Sequence, residues 1–161
     1  KQDQVRRGIL PQRYRQKSTR RLDQDRKEQR YTMTQADQNL STKWGIVPWL
    51  TIRIEDKPEY LQELVLPLCD DNKFAKQGVC DLAFIAPTSA AVLKQKARRL
   101  KPAIDPDGTI WVVYPKDEYR EKYNFDGTLD EMVEIVKSIG LKKCDTVPIN
   151  EELLSISLRV K

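Results

Sequence analysis

The chain has 161 residues, room for one domain and one extension, with 39% hydrophobic and 33% charged residues and a mean hydropathy of -0.65. It contains no histidine, which removes the commonest general base, the usual zinc and haem ligand and every histidine-dependent triad. Cys69, Cys80 and Cys144 are an odd set without a close pair, so they read as core thiols in a reducing intracellular compartment rather than a disulfide framework or a zinc knuckle.

The net charge of +5 is unevenly spread. Residues 1–30 hold eleven Lys/Arg against four acids, a net +7, so residues 31–161 carry −2. Such segregation marks an interaction tail rather than a uniformly cationic globule. Large apolar groups are few and without period through residue 40. Residues 1–40 therefore predict a basic extended arm that is disordered in isolation, with residues 18–31 able to become helical on a partner. Within it Arg6, Arg7, Arg13, Arg15, Lys17, Arg20 and Arg21 supply forks and point charges for phosphate, and Tyr14 or Tyr31 suits stacking on an unpaired base. The same residues suit an acidic protein surface or anionic lipid headgroups, and the interspersed acids make the arm less than purely cationic. With Lys1 rather than methionine at its head, the chain is expected to be a processed or trimmed product. An Arg- and Gln-rich beginning is compatible with import into a mitochondrion or plastid.

Residues 49–54 alternate apolar and polar groups as a strand does, and residues 57–66 follow as a helix with Pro58 in its first turn. Residues 69–78 read as a polar loop. The apolar run 80–85 predicts a buried parallel strand. Residues 89–100 place Ala90, Leu93, Ala97 and Leu100 on one helical face. Asp105-Pro-Asp-Gly108 reads as a turn into the strongest strand, residues 109–114. In the charged connection 116–127, Tyr119, Tyr123 and Phe125 are expected to be exposed and to form a docking patch. Thr128 to Glu131 has the spacing of a capping box, opening a helix with Leu129, Met132, Val133 and Val136 inward and Gly140 as its stop. Residues 142–148 and 153–160 close the chain as an antiparallel pair. The sum is an α/β domain over residues 41–161: a mainly parallel twisted sheet with flanking helices and an antiparallel edge hairpin.

The order from Cys80, through Leu100-Lys-Pro102 and Asp107-Gly108, to the strand 109–114 resembles the carboxy-terminal half of the Rossmann-like, class I methyltransferase fold. Trp111-Val-Val-Tyr-Pro-Lys116 is similar to the signature of a family of small, uncharacterised bacterial proteins with a shrunken version of that fold, and Lys43-Trp-Gly-Ile-Val-Pro48 echoes their opening motif. The resemblance implies a methyltransferase-like scaffold over about 120 residues.

A nucleotide-type cofactor needs a glycine turn after the first strand so that backbone N–H groups can approach it. Here the chain reads Glu55-Asp-Lys-Pro-Glu59, and no acidic strand end follows some twenty residues on to bind a ribose. The scaffold is therefore expected to be degenerate, without cofactor. The acid pairs read as solvated turns and helix starts; Asp105, Asp107 and Asp117 are the remaining candidates to flank a Mg²⁺, with no further oxygen-ligand pattern, so no metal is expected. Lys116, after the central strand, stands where α/β sheets place ligands. The expectation is a non-enzymatic structural subunit of a large assembly, held by its arm on RNA, as in an organellar ribosome, or on acidic protein. The alternative is a soluble peripheral subunit of a membrane energy-converting complex.

Overall fold

The structure, a computed structural model, describes residues 35–55, 57–69 and 72–161. The basic residues proposed for the arm, Arg6 through Arg21, lie outside the described residues. Residues 35–40, assigned above to that arm, belong to a helix, α1 (Gln35–Trp44).

Apolar alternation and β-branched runs produce strands β1 (Thr51–Ile54), β2 (Lys73–Phe74), β3 (Cys80–Ile85), β4 (Ile104–Pro115), β5 (Leu141–Pro148) and β6 (Leu153–Val160). They form one sheet in the order β2-β1-β3-β4-β6-β5. β2, β1, β3 and β4 run parallel; β6 is antiparallel to both β4 and β5, which is the predicted edge hairpin.

Helices α2 (Glu59–Val65), α3 (Ala90–Leu100) and α4 (Leu129–Ser138) complete the layers. Ser89 Oγ accepts from the Val92 N–H and starts α3, whose Ala90, Leu93, Ala97 and Leu100 are all buried against the sheet. The Thr128–Glu131 capping box is formed in both directions at the start of α4. Of its expected inward residues Met132 and Val136 are buried, Val133 is half-buried, and Leu129 in the first turn is 36% exposed. Gly140 has φ +85°, a conformation that favours glycine, and it ends the helix and lets β5 begin at once.

One face of the sheet, with Ile85, Ile110, Val112 and Ile156, packs in a single cluster with Leu93 and Ala97 of α3 and Met132 and Val136 of α4. On the other face Trp44 of α1 lies against Phe84 and Trp111, with ring centroids 5.0 and 6.4 Å away. The Trp44 indole donates to Ser155 Oγ (3.0 Å), and the Trp111 indole donates to the Trp44 carbonyl (3.1 Å). Both buried indole N–H groups are thus satisfied.

Three local expectations are corrected. The predicted loop 69–78 contains β2, which is a strand because Lys73 and Phe74 find Thr51 and Ile52 beside them. Asp105 to Gly108 is part of β4 rather than a turn before it. The β3–β4 register shifts here, and a Cβ on Gly108 would stand 2.6 Å from the Asp81 carbonyl oxygen, so only glycine allows the approach. Trp49 precedes β1 instead of opening it, and it is 79% exposed.

Candidate functional site

In an open parallel sheet, ligands usually bind beyond the carboxyl ends of the strands, where the strand order reverses. Here the reversal lies between β1 and β3. The Glu55 N–H is committed to the Phe84 carbonyl (3.1 Å), which prolongs the β1–β3 pairing past Ile54. The Glu55 carboxylate pairs with Arg99 of α3, and Lys96 Nζ donates to the Lys57 carbonyl (3.4 Å). Burial pushes the Lys96 ammonium pKa down; Glu55 opposes this fall and Arg99 adds to it. The turn after β1 is therefore latched onto α3 by its side chain and by its backbone.

At the ends of β4 and β6 a second group assembles. Tyr123 stacks on Tyr60 of α2 at 4.9 Å with a 59° tilt, and its hydroxyl donates to the Glu152 carboxylate. Lys122 Nζ also reaches Glu152 (2.8 Å), and the Lys116 N–H donates to the Glu152 carbonyl (2.8 Å). Hydrogen bonds from Lys122 and Tyr123 hold the Glu152 carboxyl below its usual range. Tyr60 is pushed up to about 12, first by burial and then by the proximity of Tyr123. Tyr123 is likewise pushed up to about 12, by loss of water, the hydrogen bond to Glu152, that carboxylate's charge, and Tyr119. The Tyr123 hydroxyl is thus bound to the Glu152 carboxylate, and with both tyrosines pushed up neither is a ready proton acceptor near neutrality.

The opposite, amino end of the sheet carries a cavity of about 410 Å³. Its walls include Lys43, Trp44, Leu50, Asp81, Asp105, Asp107, Thr109, Trp111 and Arg159. Asp81 Oδ2 accepts from the Thr51 N–H (2.8 Å), and Asp105 Oδ1 accepts from the Asp107 N–H (2.9 Å). Arg159 donates to the Asp107 carbonyl (2.7 Å). Several of the polar groups around this cavity are thus engaged in holding strand ends together.

Of the sequence-selected positions, Tyr119 and Tyr123 are half-buried and Phe125 is 8% exposed within the core cluster. The exposure expected of Phe125 is therefore corrected: its N–H bonds to the Arg120 carbonyl (2.9 Å), which turns the connection inward where the ring is buried. Asp105 and Asp117 fall toward opposite ends of the twelve-residue β4, so they do not flank one cation with Asp107. Among the described residues no group of three potential ligands is placed to hold a metal. Nor is any described helix long and apolar enough to cross a membrane. Two features escaped the sequence reading, the Tyr60–Tyr123–Glu152 group and the amino-end cavity. Each joins residues from separate elements, and neither has a local motif.

No protein-family model matches the chain, and no curated protein sequence matches it. Comparison with solved structures does find the architecture. An O-methyltransferase of neocarzinostatin biosynthesis, in complex with S-adenosylmethionine, superposes with a TM-score of 0.54 at 13% identity, over 77% of this chain and 53% of that one. The mitomycin 7-O-methyltransferase gives 0.52 at 13% identity over 78% and 53%. A TehB-like SAM-dependent methyltransferase from Corynebacterium glutamicum gives 0.50 at 8% identity over 86% and 94%. The chain spans about half the length of the first two. It has the class I methyltransferase-like Rossmann fold.

This likeness corrects the expectation that the chain is no enzyme. That expectation took the sheet as a degenerate relic, whereas solved structures of the same fold, aligned over 77% to 86% of the chain at 8% to 13% identity, are methyltransferases by name. The adenosyl cradle is a separate matter, decided by residues. The turn after β1 has no glycine in its sequence, Pro58 offers no N–H, the Glu55 N–H is already used, and β2 is followed by Ala75 and Lys76 with no acid for a ribose. These residues do not fit S-adenosylmethionine in the usual manner of a doubly wound sheet.

Proposed function

We propose that this chain is an accessory subunit of a larger RNA-containing assembly, of the organellar-ribosome type, with its basic amino-terminal segment on RNA and its methyltransferase-like domain as the folded body. The observation that carries this reading is the segregation of charge: +7 in residues 1–30 against −2 in the remainder. Arg6, Arg7, Arg13, Arg15, Lys17, Arg20 and Arg21 with Tyr14 have the chemistry of phosphate contact and base stacking. The body's own polar groups are largely engaged with one another at the carboxyl end of the sheet, which also supports a docking role.

The test is the salt dependence of RNA binding by the full chain, compared with a variant carrying glutamine at those seven basic positions. Each phosphate contact to single-stranded RNA contributes a slope of about −0.7 in log affinity against log salt. Loss of most of that slope in the variant is the expected outcome. A full chain that ignores RNA, or a variant with an unchanged slope, ends this reading. Retention by protein partners alone would then favour a peripheral subunit of a membrane energy-converting complex.

A second reading, methyl transfer, is favoured by the S-adenosylmethionine-dependent neighbours. Calorimetric titration with S-adenosylmethionine decides it: micromolar binding that Tyr60→Ala or Glu152→Ala abolishes would support that reading, and absence of heat would remove it.

A further inference from the structure

We draw no further inference here: the strongest candidate, the cavity at the amino end of the sheet walled by Asp81, Asp105 and Asp107 with Lys43 and Arg159 beside them, is an acidic cluster in which Asp81 and Asp105 already hold backbone N–H groups, and no buried polar side chain among the described residues is left unpartnered there to point to a ligand.

Discussion

The two ends of the sheet use their polar residues differently. At the carboxyl end, Glu55 is paired with Arg99, Lys96 holds the Lys57 carbonyl, and Glu152 gathers Lys122, Tyr123 and the Lys116 N–H. At the amino end, Trp44 and Trp111 line a cavity of about 410 Å³ with charged groups, of which Asp81, Asp105 and Arg159 are bonded to backbone groups rather than to other side chains. Among the described residues, this strand order is thus compatible with a cavity at the amino end, away from the switch point. Strand order places the crevice, but the side chains of the connecting turns decide whether it is filled.

The largest expected effect tests what closes the amino end. Trp44 is 1% exposed between Phe84 and Trp111, and its loss opens a void and removes the donor to Ser155 Oγ, whose own O–H still bonds to the Val147 carbonyl. Trp44→Ala should cost about 3–5 kcal/mol in urea unfolding. A cost below about 1 kcal/mol would mean that α1 is not part of the core. Gly108→Ala comes next, because its Cβ would meet the Asp81 carbonyl oxygen at 2.6 Å where β3 and β4 converge. About 1–3 kcal/mol is expected, with altered exchange at Asp81 and Leu82 and none at Tyr123.

At the carboxyl end the comparison sharpens with pH. Tyr60 and Tyr123 titrate at about 12 in the fold against an ordinary 10.0. The folded chain keeps these protons longer than the unfolded chain, so their contribution is intact below pH 10.0 and is lost as pH rises toward 12. Phenolate absorbance should show both tyrosines appearing late. Glu152→Gln should bring Tyr123 down while moving Tyr60 little, since burial is the main influence on Tyr60. Equal shifts in the two would mean that Glu152 governs both. Thr128→Ala, which removes the α4 cap, should cost about 1 kcal/mol. The smallest effect belongs to the exposed tryptophan: Trp49→Ala should change stability by no more than about 0.5 kcal/mol, although Trp44 stands only five residues earlier.

That pair of tryptophans shows how far the sequence could be read. The α3 face, the Thr128 cap, the Gly140 stop and the final hairpin were legible because each is decided within a few residues by periodicity, capping or left-handed backbone. The fate of Trp44 and Trp49 was not, since both are large and apolar and local pattern ranks them alike. Phe125 was read as exposed from its charged neighbours, but a backbone bond to Arg120 folds it into the core. The two-residue β2 has no signal of its own and becomes a strand only beside β1.

By itself, then, the amino-acid sequence determined helices α3 and α4, the central strands and the final hairpin, that the charge is concentrated in residues 1–30, and that the turn after the first strand lacks glycine. These are properties of short windows, where propensity, charge and steric freedom act directly. The tertiary structure alone decided the order of the strands, the company of Glu152, the cavity at the amino end and the pairing of β2 with β1. Each depends on residues far apart in the chain meeting across the sheet, and the energy of that meeting belongs to no single window.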